Sequence, residues 1–201
     1  MTSVMKNSFE IDSFLDEHEL SALLGYYKTL PQTINSGDDK KAFTTGFPWD
    51  DLPFETIKTK LIKVFPNSNV TVSMFLEEFI PWKVHTDYFK EDRVPHYAVL
   101  VPLDFEDKST HTVVFNEVGI DKDWRGQLTQ KSLYEYTEDQ TKILNHIEQD
   151  MLDRLSVGQI HKWEKGKMIA WHRNFLHSSD NFENAGIKRK IALVLFLNQD
   201  D

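Results

Sequence analysis

His85-Thr86-Asp87 is the tripeptide with the clearest chemistry in it. On a strand, side chains two apart share a face. An imidazole and a carboxylate then point the same way, about 7 Å apart at the backbone. Both can reach one metal ion. A second stretch lies far downstream, where Lys165-Gly166-Lys167-Met168-Ile169-Ala170-Trp171-His172 reads as a turn and then a strand. It leads through Arg173-Asn174-Phe175-Leu176 to His177-Ser178-Ser179-Asp180-Asn181, and a loop runs on to Lys188-Arg189-Lys190. The order is His-x-Asp, a distant histidine after a glycine-initiated strand, and a basic residue opening the next strand. Two imidazoles and one carboxylate on one face of a metal ion leave its other positions open. Other histidines compete for the second imidazole. His172 lies in a strand, His96 follows Pro95, and His111 and His161 read as half-exposed strand positions.

Composition bounds the scaffold that must hold these groups. The 201 residues carry 32 acidic against 23 basic side chains, a formal net charge of -9. That argues against a sequence-independent grip on nucleic-acid phosphates, which needs a basic surface. It slightly favours a neutral or cationic substrate. No apolar run approaches the roughly 20 residues of a membrane-spanning helix. Cysteine is absent, which removes disulfides, iron–sulfur clusters and thiol nucleophiles. A metal must therefore sit on His, Asp or Glu. Met1–Glu10 lacks the apolar stretch of a signal peptide, so the expected location is the cytoplasm.

Periodicity supplies the elements. Phe9 and Ile11 alternate as in a short strand. Asp16 and Glu19 form a capping-box pattern before Leu20, Leu23, Leu24 and Tyr27 at helical spacing, and Pro31 stops that helix. A second helix is expected from about Pro53, burying Phe54, Ile57, Leu61 and Phe65. Strands are expected over 69–80, 84–88, 96–105, 111–117, 159–165, 167–175 and 188–197. Thr137 and Gln140 form a second capping box before one helix carrying Ile143, Leu144, Ile147, Met151 and Leu155. The pattern predicts a single domain over 1–201. Helical support covers about 1–68, a β core about 69–117 and 159–198, and a helical insertion about 118–158. Many short strands with turn signals close as sandwiches, barrels or jelly rolls. The early helices pack on one sheet, because IALVLFL reads as a strand covered on both faces. Residues 117–136 have no clear period and are a candidate lid.

The ordered motif resembles the iron(II)- and 2-oxoglutarate-dependent oxygenase superfamily. The stretch HSSDN followed by an arginine is similar to the phytanoyl-CoA hydroxylase-like branch. SFEIDSFLDEHELSALL looks like the opening strand and helix of prolyl-hydroxylase-type members. The resemblance spans roughly 9–30 and 70–197, on a handful of specific residues. It implies a mainly β fold with α, a double-stranded β-helix of the jelly-roll, cupin-like kind. It implies iron(II) on His85, Asp87 and His177, with 2-oxoglutarate and oxygen taking the open positions. Succinate and carbon dioxide are then released and a C–H bond of a small molecule or an amino-acid or peptidyl side chain is hydroxylated. The cosubstrate's far carboxylate suits a guanidinium clamp, so Arg189 fits that role, with Lys188 and Lys190 competing. Both faces of the last strand are apolar, and alternation does not choose between them. Tyr97 is a candidate donor to the keto acid and Asn181 a candidate for orienting it. Trp82, His96 and Trp171 are candidates for the pocket wall. The long gap between His85 and His177 departs from compact members, and the helical insertion accounts for it.

Two other classes fit the residues. A His₂Asp site with water suits zinc, which would make the chain a cupin-like hydrolase or isomerase with Glu77 or Glu78 as general base. Jelly rolls also serve as non-enzymatic binding modules, with the five Trp as ligand platforms.

Overall fold

The computed structural model describes residues 8–31, 33–34, 42–52, 54–87, 96–119 and 124–199. The opening strand is β1 (Ser8–Ile11), followed by helix α1 (Glu17–Thr29). The capping box is complete. The Glu19 amide donates to the Asp16 carboxylate at 2.8 Å, and the Asp16 amide donates to the Glu19 carboxylate at 3.0 Å. Strands β2 (Thr33–Ile34) and β3 (Ala42–Gly46) come next, then a 3-10 turn (Trp49–Asp51) and helix α2 (Glu55–Val64). Ile57, Leu61 and Phe65 are buried, as the stripe requires. Pro53, the expected helix start, lies outside the described residues.

The β-rich part runs through β4 (Ser68–Glu78), β5 (His96–Phe105) and β6 (His111–Val118). Short helices α3 (Trp124–Gln127), α4 (Glu138–Leu144) and α5 (Gln149–Leu152) intervene. Then come β7 (Val157–Lys162), β8 (Met168–His172), β9 (Phe175–Ser179) and β10 (Lys190–Gln199). Two antiparallel sheets result. The larger has the order β1-β8-β5-β10-β4-β3-β2 and the smaller β7-β6-β9. Residues 84–87 lie against β9 and are joined to it by one bridge. The His85 amide donates to the His177 carbonyl at 3.0 Å, and the His177 amide returns the bond at 2.9 Å. This is the double-stranded β-helix.

Strand β10 explains the layering. Side chains alternate across a strand, and both faces of this one are covered. Ile191, Leu193, Leu195 and Leu197 join the cluster holding Leu23 and Tyr27 of α1 and Ile57 and Leu61 of α2. Ala192, Val194 and Phe196 face Trp163 and Trp171 between the sheets. The smaller sheet has its own cover: Val113, Phe115 and Leu176 pack on Trp124, Leu144 and Leu152. Each sheet thus carries helices outside and shares one interior. Among the described residues no helix is long and apolar enough to cross a membrane.

Three expected elements are built differently. Residues 167–175 take in the whole of β8 and the first residue of β9, since the chain turns at Arg173-Asn174 and crosses from the larger sheet to the smaller. The single helix of the insertion is two, α4 and α5. The chain turns after Leu144, where the Ile147 amide donates back to the Leu144 carbonyl at 2.9 Å and the His146 ring meets the Trp82 carbonyl at 3.3 Å. The apolar stripe survives the break, with Leu144, Ile147, Leu152 and Leu155 all buried. Over 84–87 the expected strand makes only its single bridge, because the Asp87 amide donates to the Arg173 carbonyl (3.2 Å) instead of extending the ladder along β9; Tyr88 lies outside the described residues. Gly166, the expected turn before β8, has φ +78°, which favours glycine. A Cβ there would lie 2.7 Å from the Leu15 carbonyl oxygen.

Candidate metal centre

His85, Asp87 and His177 come together. One ligand atom from each lies within 4.8 Å of the others. The Nε2 of His177 is 3.3 Å from Asp87 Oδ2, and the Nε2 of His85 is 3.9 Å from Asp87 Oδ1. The far nitrogens are committed elsewhere. His85 Nδ1–H donates to the Lys83 carbonyl at 2.8 Å, and His177 Nδ1–H donates to the Phe175 carbonyl at 3.1 Å. A carbonyl only accepts, so each ring carries its proton on Nδ1 and turns the Nε2 lone pair inward. Such outer bonds orient ligating histidines and fix their tautomers.

Asp87 is held from behind. The Arg173 guanidinium donates to the Asp87 carbonyl through Nε at 3.0 Å and Nη2 at 2.7 Å. The Thr86 hydroxyl donates to the Arg173 carbonyl at 2.9 Å. Arg173 is only 2% exposed and its guanidinium lies 4.4 Å from the Phe196 ring centroid. Sequence reasoning passed over Arg173 as a link between two histidines. A lone arginine between apolar strands was the available signal.

The three ligand side chains line a cavity of about 180 Å³ between the sheets. Its walls include Trp82, Trp163, Trp171, Val194 and Phe196. Trp82 lies 5.3 Å from His85 and Trp171 4.7 Å from His177, ring centre to ring centre. Both of these pocket-wall candidates line the cavity. Among the described residues, three polar atoms of the cavity wall are buried without a hydrogen bond of good geometry: Trp171 Nε1, Ser178 Oγ and Glu78 Oε2. A fourth, Lys190 Nζ, lies one layer deeper. It is 4.0 Å from the Trp163 ring centroid, 4.4 Å from that of Phe182, and 3.3 Å from Glu78 Oε2. Burial pushes the Glu78 carboxyl above the ordinary carboxylate range, against the pull of Lys190.

The cosubstrate residues read from the sequence do not meet the cavity. Arg189 points to the outer face of β10. Its Nη2 lies 2.7 Å from Asp104 Oδ2 and its Nη1 3.4 Å from Glu77 Oε1. Strand alternation turns Lys190 inward instead, and Lys190 is wholly buried. Lys188 is exposed in the preceding loop. Tyr97 also faces outward, packing 5.1 Å from Phe65, because Ala98 and Leu100 take the inward positions of β5. Asn181 braces the insertion, donating through its side chain to Asn145 Oδ1 at 2.6 Å and through its amide to the Ile143 carbonyl. His96 opens β5, and its side chain lies outside the described residues. The competing histidines are elsewhere. His161 is buried between Glu10 and Ser8, His111 binds Asp180 at 2.9 Å, and His172 packs on Tyr97. Of the two candidate bases, Glu77 accepts from the Tyr27 hydroxyl on the outer face, and Glu78 alone faces the cavity. In the lid candidate, Trp124 is buried against the smaller sheet, and residues 120–123 lie outside the described residues.

Neither a family model nor a curated protein matches the sequence. Solved structures do match. The epimerase SnoN from nogalamycin biosynthesis, described as non-heme and alpha-ketoglutarate dependent, is 9% identical with a TM-score of 0.62, over 96% of this chain and 79% of that one. A prolyl-4-hydroxylase of Pseudomonas putida is 10% identical with a TM-score of 0.60, over 98% and 95%. HygX from Streptomyces hygroscopicus, solved with nickel, 2-oxoglutarate and hygromycin B, is 10% identical with a TM-score of 0.55, over 96% and 83%. This chain has the fold of the 2-oxoglutarate/iron(II) oxygenases. Within that oxygenase fold, the His-Asp-His cluster sits at the meeting of residues 84–87 with β9.

Proposed function

We propose that the protein is an iron(II)- and 2-oxoglutarate-dependent oxygenase that oxidises a C–H bond of a small molecule or an amino-acid side chain. One observation carries this reading: two imidazole Nε2 atoms and one carboxylate converge within 4.8 Å on an apolar cavity. Two histidines and one carboxylate are the facial ligand set of non-haem iron(II), and they leave positions open. Bound there, iron(II) with 2-oxoglutarate would supply the oxidising chemistry, with succinate and carbon dioxide as co-products.

The chain's own residues then have defined tasks. The Lys83 and Phe175 carbonyls hold the two histidines in the ligating tautomer. Arg173 keeps Asp87 in register with them. Trp82 and Trp171 exclude water beside the ligands. Lys190 is the cation for the cosubstrate's far carboxylate, since it lies inside the β-helix where Arg189 does not. The substrate enters a second cleft of about 240 Å³ that shares Trp82 and His85 with the first. Lys83 and Arg125 flank this cleft and, among the described residues, no acidic side chain lines it. Its chemistry suits a substrate with an anionic group, despite the chain's acidic balance.

The test is succinate formation from 2-oxoglutarate by protein loaded with iron(II) under anaerobic conditions and then given oxygen. Succinate is expected to require iron, and His85→Ala is expected to abolish both iron binding and turnover. Glu78 in the same cavity favours one rival, a zinc hydrolase using it as base. Tight zinc binding without any 2-oxoglutarate binding would decide for that rival.

A further inference from the structure

Glu78 and Lys190 are cross-strand partners in β4 and β10, paired in register. Both side chains are buried, at 5% and 0% exposure, and their charged atoms meet at 3.3 Å. Neither Glu78 Oε2 nor Lys190 Nζ has a hydrogen bond of good geometry. Glu78 lines the cavity and Lys190 stands behind it. An anion coming from the metal side therefore meets a carboxylate before it meets the ammonium. Two carboxylates sharing one buried cation cannot both stay ionised at low cost.

We infer that Glu78 is an internal competitor for the cosubstrate's anchoring site, so that seating the far carboxylate of 2-oxoglutarate on Lys190 takes up one proton onto Glu78. The inference rests on the oxygenase reading of the site. The neutral Glu78 becomes a donor to the incoming carboxylate, and the buried site keeps one positive and one negative charge. The groups acting on Glu78 are Lys190 from β10, His85 from the ligand turn and Asp180 beyond β9. Its neighbour in β3, Ala42, carries no charge. Burial already holds the carboxyl above its ordinary range, which lowers the cost of that proton. Cosubstrate affinity is thereby tied to pH at a residue outside the metal ligands.

The test is calorimetric titration of 2-oxoglutarate into the protein saturated with manganese(II), at several pH values, in buffers of different ionisation heat. With metal already bound, the ligands' own protons are gone. The wild type is expected to take up close to one proton per cosubstrate. Its affinity should then weaken by about tenfold per pH unit above the Glu78 titration. Glu78→Gln is expected to bind without proton uptake and with a flat pH profile. 2-Oxobutyrate, which keeps the keto acid but lacks the far carboxylate, should bind the wild type with no uptake. Binding of 2-oxoglutarate to the wild type without proton uptake, or uptake that persists in Glu78→Gln, overturns the inference and leaves the oxygenase reading intact. Absence of 2-oxoglutarate binding to both proteins overturns the oxygenase reading itself. The wild-type proton count needs no variant, so it decides even if Glu78→Gln fails to fold.

Discussion

Adjacent basic residues at the entry to β10 turn to its opposite faces and meet opposite fates. Arg189 lies outside, 44% exposed by side chain, between the half-buried Asp104 and the buried Glu77. Lys190 lies inside, wholly buried, with Glu78 and two aromatic rings for company. The same pattern repeats along the strand. Leu193 and Leu195 hold the helices, while Val194 and Phe196 wall the cavity. One face packs on the helices and the other faces the candidate metal centre. In a strand this close to the site, chemical aptitude of a side chain matters less than the parity of its position.

Substitutions on the two faces should separate. The largest effect falls on the ligands. Asp87→Ala is expected to weaken metal binding by more than about a hundredfold, measured by competition with a chelator. Leu193→Ala, on the outer face, is expected to lose about 2–5 kcal/mol of stability by urea denaturation with metal affinity unchanged. If it also lost the metal, the two faces would not act independently. Next in size is Lys190, the proposed anchoring cation. Lys190→Met, made together with Glu78→Gln so that no buried charge is stranded, should weaken 2-oxoglutarate binding by about thirtyfold relative to Glu78→Gln alone. Arg189→Met should stay within about twofold, because exposed ion pairs contribute little. Equal losses from both would erase the distinction drawn here.

The smallest expected effect concerns His161. Burial holds this ring below the ordinary histidine value, with Glu10 pulling the other way. The unfolded chain binds the proton more readily than the folded one. The stability involved is therefore fully present above about pH 6.5, the ordinary histidine value, and is lost as pH falls through the lowered value. Thermal unfolding should drift downward over that window, and His161→Gln should flatten the drift.

Much of this was legible before any fold was known. The His-x-Asp, the distant His177 and both capping boxes are local patterns, and local patterns carry their geometry with them. The ends of β5 were read without error, since Pro95 before it and the acidic turn after it are strong punctuation. Arg189 and Tyr97 turn away from the cavity for one shared reason, while Asn181 sits in the loop after β9 and braces the insertion. A strand buried on both faces offers no polar side to set its phase, and guanidinium chemistry favoured the neighbour that faces outward. The break between α4 and α5 was hidden because the apolar stripe continues across it. Arg173, and the pairing of the candidate base Glu78 with Lys190, stayed unseen because their meaning lies in what they touch across the fold: a backbone carbonyl in one case and a strand partner in the other.

The centre of the larger sheet has a consequence for how the chain is made. Strand β10 sits between β4 and β5, yet it follows both in sequence, by more than eighty positions in the case of β5. On the ribosome those two strands emerge early and wait with their facing edges bare. Exposed edges are templates for unwanted pairing, and closure through such distant partners is slow. A chain arrested before Lys190 should therefore be sensitive to protease and prone to aggregate. Release of β10 is the event that converts a set of hairpins into an enclosed vessel.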